Sequence, residues 1–292
     1  MNTSLPSEAQ DAVIQDPSLG NILQKTKGWT AEQVNAALDY QKQNGIRFGE
    51  AAVALGMAQP EDIIWALSQQ FHYPYSPVSE RSLNGELVVA NSPFSEEVEA
   101  FRDLRSQLVM GVMSPTNPNR SALAILSADA QDGKTFTTAN LGIAFSQLPG
   151  RTLIIDADLR KPRLHELFGI EGGAGLSSIL AGRTEANVIK PISHLPNLYL
   201  LPAGVQAPNP TELLQRASFS LLLKELLNKF DHVLVDTPAS CYGSDGRIIA
   251  NHCGAGLVIA RKNGTHVSGL QTLVKLLNKS SVKVAGILMN EV

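Results

Sequence analysis

Apolar and polar positions along this chain follow two different rhythms. From residue 122 onward, short apolar runs recur at Ala122 to Leu126, Thr152 to Asp156, Leu198 to Leu201, His232 to Asp236, Leu257 to Ala260 and Val284 to Met289. Brief runs of this kind, rich in Val, Ile and Leu and bounded by turn formers, predict strands buried on both faces. The stretches between them carry helical spacing, as in the Leu-rich segment Thr211 to Phe230. Strand alternating with helix predicts a mostly parallel α/β sheet covered on both sides.

The first part of the chain repeats itself instead. Leu19-Gly20, Glu32, Val34, Ala37, Leu38 and Gln41 recur 29 residues later as Phe48-Gly49, Glu61, Ile63, Ala66, Leu67 and Gln70. Apolar residues three and four apart within each copy mark amphipathic helices, and Thr30-Ala-Glu-Gln33 supplies a capping-box start in the first. The repeat predicts a small all-α module over residues 1–75, closed by Phe71-His-Tyr-Pro-Tyr75. Residues 76–92 are polar and rich in turn formers, which predicts a linker, and residues 93–292 then form the α/β domain.

Composition narrows the class without naming it. The 292 residues carry 24 Lys+Arg against 27 Asp+Glu, so no basic field points to bulk nucleic-acid binding. Cys241 and Cys253 are expected as free thiols in a reducing cytoplasm. No apolar run approaches the roughly 20 residues that span a bilayer, so membrane association is expected through a partner.

The chemistry is concentrated after the first strand. Ala128-Asp-Ala-Gln-Asp-Gly-Lys-Thr135 stands between an apolar run and a helix-like stretch, the strand, loop and helix order of a P-loop NTPase. A triphosphate is a dense anion that backbone N–H groups, the positive end of a helix and one ammonium can all meet. Gly133 lets the backbone approach, Lys134 would reach the β- and γ-phosphates, and the Thr135 hydroxyl would hold Mg²⁺. Asp132 to Phe136 thus form the expected ATP-binding segment. Two apolar strands downstream deliver carboxylates at their ends: Asp156 and Asp158 after Leu153-Ile-Ile155, and Asp236 after Val233-Leu-Val235. Asp158 and Asp236 are expected around Mg²⁺, and Asp156 to orient or deprotonate an incoming hydroxyl. Asn290, just past the last strand, is a candidate for the nucleotide base or for an ordinary turn. The loop departs from the usual pattern at Ala128 and at Ala130-Gln131, where a glycine and a Pro-Gly pair are common.

Several of these segments resemble one family. Asp156-Ala-Asp-Leu-Arg-Lys-Pro-Arg-Leu-His-Glu-Leu-Phe168 is similar to the Walker A′ segment of the bacterial tyrosine kinases that are paired with chain-length regulators of exopolysaccharide export, in their separate, EpsG-type form. Asn197 to Gly204, Pro208 to Leu214 and the Glu99-x-x-Arg102-x-x-Arg105 helix extend the resemblance over residues 92–292. It implies protein-tyrosine (auto)kinase activity with ATP and Mg²⁺, and a cytoplasmic enzyme recruited to the inner membrane by a transmembrane chain-length regulator. It also implies homo-oligomeric rings packed through Glu99, Arg102 and Arg105, residues that a lone helix would use merely as a charged face. The C-terminal tyrosine cluster of that family is absent, which leaves Tyr40, Tyr73, Tyr75, Tyr199, Tyr242 or another protein as acceptor. A ParA/MinD-like switch ATPase is the alternative, although Asp129 stands where that class usually has an extra lysine. The N-terminal repeat resembles the N-terminal module of type II secretion and pilus ATPases, some of which bind cyclic di-GMP. Arg47, Gly49, Gly56 and Gln70 fit that motif, whereas the first copy lacks the arginine, and a helical docking module is the simpler expectation.

Overall fold

The computed structural model describes residues 18–70, 84–93, 95–117, 120–183, 187–193, 195 and 197–291, with the side chains at 61, 64, 69 and 70 left aside. The predicted closing segment Phe71 to Tyr75, residues 76–83 of the predicted linker and the Gln70 side chain lie outside the described residues. The chain divides into two compact units, Met1–Glu80 and Arg81–Val292.

The first unit contains α1 (Leu19–Lys27), α2 (Ala31–Asn44), α3 (Phe48–Ala54) and α4 (Pro60–Gln70). The sequence repeat is a repeat of contacts. A Cβ added at Gly20 would come within 3.0 Å of Val34 Cγ1, and one at Gly49 within 2.5 Å of Ile63 Cγ2. Each copy therefore uses its glycine where its two helices touch. The helix starts repeat as well: Thr30 N–H donates to Gln33 Oε1 (2.9 Å), and Gln59 N–H to Asp62 Oδ2 (3.0 Å). Ile22, Leu23, Trp29, Ala52, Ala58, Ile63 and Ala66 form the buried core. Gly49 thus has a packing role, Gly56 ends a helix at φ 66°, and Arg47 is an exposed residue just before α3.

The second unit opens with α5 (Val88–Asn91) and α6 (Glu96–Met110), followed by β1 (Ala122–Ser127), α7 (Lys134–Ser146), β2 (Thr152–Asp156), α8 (Leu164–Leu167) and α9 (Leu176–Leu180). Next come β3 (Lys190–Pro191), β4 (Leu198–Leu201), α10 (Pro210–Leu214), α11 (Ala217–Lys229), β5 (His232–Asp236), α12 (Asp245–Cys253), β6 (Gly254–Arg261), α13 (Val267–Asn278) and β7 (Lys283–Asn290). Among the described residues the strands make one sheet in the order β3-β4-β2-β5-β1-β6-β7, parallel except for the β3 edge. One face is covered by α5 to α8 and the other by α9 to α13, each with its own buried apolar cluster. The register places Asp156 beside Asp236 and Asp236 beside Ile125, so the ends of β2, β5 and β1 open at one edge of the sheet.

Three features differ from the sequence expectation. The last residues of the predicted linker are structural: Leu87, Val89 and Ala90 are buried against the sheet unit, and Asn140 Oδ1 accepts the Val89 N–H at 3.0 Å. The predicted helix Thr211 to Phe230 is two helices, because Arg216 takes an extended backbone (φ −67°, ψ 147°) and its guanidinium donates to the Leu180 carbonyl. The short β3, hydrogen-bonded to β4 alone, carried no apolar run to announce it.

Candidate nucleotide-phosphate site

The loop between β1 and α7 is held open by its own backbone. Gln131 and Gly133 take positive φ (63° and 96°), and a Cβ at Gly133 would fall on the Asn290 amide nitrogen. Asn290 Nδ2 donates to the Asp132 carbonyl (3.1 Å), which fixes the loop from the end of β7. The buried Asp132 carboxylate accepts the Asp129 N–H (3.0 Å) and the Thr265 hydroxyl (2.8 Å). Asp129 in turn accepts the His266 backbone N–H (2.8 Å) and meets its ring Nδ1 (2.9 Å), contacts that lower its pKa. With the loop clamped from behind, the first N–H groups of α7 have no helical partners, as at any helix start, and can meet an anion.

Lys134 and Thr135 begin α7 side by side. Lys134 is 7% exposed, and its ammonium donates to Ser127 Oγ at 2.9 Å, back at the end of β1. The Thr135 hydroxyl donates to Asp236 Oδ2 at 2.7 Å, while the Thr138 hydroxyl lies 3.1 Å from Asp236 Oδ1. Asp236 is thus a fully buried carboxylate among hydroxyls. Burial raises its pKa to about 6, against the pull of the Lys134 charge and the Thr135 hydrogen bond.

The loop after β2 is organised by its two carboxylates. Asp156 accepts backbone N–H groups from Asp158 (3.2 Å), Arg163 (3.2 Å) and Leu164 (3.1 Å). Burial, and next the neighbouring Asp236, push its pKa well above the usual carboxylate range. These bonds make Asp156 the post around which the loop folds. Asp158 is only half-buried and accepts the N–H groups of Arg160 (3.1 Å) and Lys161 (2.9 Å) through Oδ1. Of the two, Asp158 is the more accessible to an incoming group.

Residues that sequence reasoning passed over complete the arrangement. Arg160 Nε donates to the buried Asp245 (2.7 Å), and Thr211 Oγ1 donates to the same carboxylate (2.6 Å), tying the loop after β2 to α10 and α12. Only tertiary structure brings these three together. Thr138 had a legible signal: it lies one helical turn after Lys134 and thus on the same face. Phe136, expected in the nucleotide-binding segment, turns its ring to Phe101 (centroids 6.0 Å apart) and has only its backbone to offer. Arg102 pairs with Glu99 and donates to the Pro93 carbonyl, and Arg105 donates to Ala144 O (2.7 Å) in the last turn of α7.

Hydroxyl and carboxylate oxygens are the donors that Mg²⁺ accepts, and Mg²⁺ commonly arrives with phosphates and several waters. Thr135, Asp236 and Asp158 fit that requirement. Among the described residues no group of three or more His, Cys, Asp and Glu could hold a metal ion by itself.

A clamped glycine-containing loop, a lysine and a threonine opening a buried helix, and carboxylates ending the neighbouring parallel strands define a P-loop NTPase. No family model matches the chain. Tyrosine-protein kinase Wzc of Salmonella typhi is 34% identical over 214 residues, which is 73% of this chain and 29% of Wzc. CapB of Staphylococcus aureus is 30% identical over 212 residues, 73% of this chain and 92% of CapB. The kinase domain of the Escherichia coli tyrosine kinase ETK superposes with a TM-score of 0.67 at 31% identity, covering 74% of this chain and 84% of that domain. The chain belongs to the bacterial tyrosine-protein kinase family. It spans less than a third of the length of Wzc.

Proposed function

We propose that this chain transfers the γ-phosphoryl group of ATP to protein tyrosine and regulates exopolysaccharide chain length and export with a transmembrane partner. The observation that carries the catalytic part is the Thr135 hydroxyl on Asp236 at 2.7 Å, beside Lys134 and one strand from Asp156 and Asp158. Lys134 and the loop amides would neutralise the β- and γ-phosphates, leaving the ammonium's bond to Ser127 when nucleotide enters. Thr135, Asp236 and Asp158 would hold Mg²⁺, which supplies positive charge to the phosphate oxygens. Asp156 fixes the loop that presents Asp158, and would orient the incoming phenol or take its proton. Such sites act by placement and charge, with little covalent work for the protein.

The role in polysaccharide export rests on the resemblance of the sequence to kinases paired with chain-length regulators. Recruitment by a partner agrees with the absence, among the described residues, of any helix long and apolar enough to cross a membrane. Assembly through Glu99, Arg102 and Arg105 would require Arg102 to serve Pro93 and Arg105 to serve α7 as well as a neighbouring copy. The switch-ATPase alternative gains nothing from the site, since Asp129 is engaged with His266. Thr135→Val keeps the shape of the side chain and removes its hydroxyl. It is expected to lower Mg²⁺-dependent transfer to a synthetic Glu/Tyr copolymer by about a hundredfold or more, in proportion to a lost transition-state contact of roughly 3 kcal/mol. Transfer by Thr135→Val at the wild-type rate would refute the metal assignment.

A further inference from the structure

The described tyrosines differ sharply in setting. Tyr199 lies in β4 with its ring edge-on to Phe230 (5.3 Å), half-buried against the core. Tyr40 is half-buried in α2, in the other unit. Tyr242 is 41% exposed and ends the short 3-10 turn Ser240–Tyr242 that follows β5. Its phenol oxygen is 3.3 Å from Lys161 Nζ, and that ammonium sits 5.1 Å from the ring centroid. Lys161 belongs to the loop that Asp158 organises through the Lys161 N–H. The phenol therefore sits against the loop after β2 that Asp156 and Asp158 organise.

We propose that Tyr242 is a phosphorylation site of this chain, modified from ATP held by a second copy; the inference rests on the kinase reading above. Transfer between copies follows from how firmly the turn is fixed. Cys241 N–H donates to Ala128 O (3.0 Å), Tyr242 N–H donates to Ala239 O (3.0 Å), and Asp245, three residues on, is buried and taken by Arg160 and Thr211. With both flanks pinned and the phenol on Lys161, the 41% exposed side chain is held at the surface, where a second copy can reach it. In the step, the phenol oxygen bonds to the γ-phosphorus as the bond from that phosphorus to the β,γ-bridging oxygen breaks. ADP leaves with the electron pair, and the phenolic proton passes to Asp156 of the copy that holds the nucleotide. The product places a phosphate dianion beside the Lys161 ammonium, a charge-assisted contact that ties the turn after β5 to the loop after β2.

The test mixes wild-type chain with a mass-tagged Lys134→Ala chain, Mg-ATP and a Glu/Tyr copolymer, and reads phosphosites by mass spectrometry. The expected result is phosphate on Tyr242 of the Lys134→Ala chain only when wild type is present. Tyr242→Phe should lose at least tenfold of own-chain incorporation while phosphorylating the copolymer within twofold of wild type. Copolymer phosphorylation with Tyr242 bare, or with label confined to the wild-type chains, overturns the site and leaves the kinase standing. Phosphate release with no phosphotyrosine on any chain overturns the kinase reading and this inference together.

Discussion

At the residue scale, Gln131 shows a local rule broken inside the phosphate loop. Its φ of 63° belongs to the left-handed region, where a Cβ costs roughly 1–2 kcal/mol and glycine is the usual occupant. Gln131→Gly is expected to stabilise the chain by about 0.5–1 kcal/mol in urea unfolding, less than the strain removed because glycine also loosens the unfolded chain. A loss of stability would mean that the Gln131 side chain makes contacts that outweigh its backbone. His232, which opens β5, makes a pH-dependent contribution. Its ring lies 4.9 Å from Phe145, and burial is the largest influence lowering its pKa below 6.5. The unfolded imidazole takes a proton near 6.5 that the folded one refuses, so this contribution is present above pH 6.5 and lost as pH falls through the folded value. Melting temperature should therefore drop between pH 7.5 and 5.5, and His232→Phe should shrink that drop.

At the scale of elements, the four-helix unit can be followed on its own, because both tryptophans of the chain, Trp29 and Trp65, lie in or against its core. Gly49→Ala would press a methyl group on Ile63 and is expected to cost about 1–3 kcal/mol of that unit's stability. Tryptophan fluorescence should report an earlier unfolding transition while phosphoryl transfer is unchanged; loss of both together would argue against two separately stabilised units. The same elements show what a sequence can reveal. The central strands were legible because strands buried on both faces leave nearly continuous apolar runs, and the loop and its carboxylates because phosphate chemistry admits few residue types. The 29-residue repeat was legible because Gly20 and Val34 reappear as Gly49 and Ile63 at a helix contact. The break between α10 and α11 was not, since both helices share one apolar rhythm and the interruption is fixed by a distant carbonyl on Leu180. Arg160, Thr211 and Asp245 were missed for a similar reason, being joined only through folding. Asp156 and Asp158 were read as a pair, and only their hydrogen bonds separate the loop post from the accessible carboxylate.

At the scale of the whole molecule, the sheet brings the ends of β1, β2 and β5 to one edge, and the chemistry follows from what those ends carry. The two units each have a core of their own, and the phosphate site belongs wholly to Arg81–Val292. The central claim is that the γ-phosphoryl group goes to tyrosine and not to water. The most direct measurement is the fraction of γ-phosphate from Mg-ATP recovered as phosphotyrosine, on the chain and on an added Glu/Tyr copolymer, for wild type and Lys134→Ala. The account predicts substantial phosphotyrosine with wild type and a fall of at least a hundredfold with Lys134→Ala, which loses the ammonium facing the phosphates. ATP consumed entirely as inorganic phosphate, or transfer by Lys134→Ala at the wild-type rate, would contradict it.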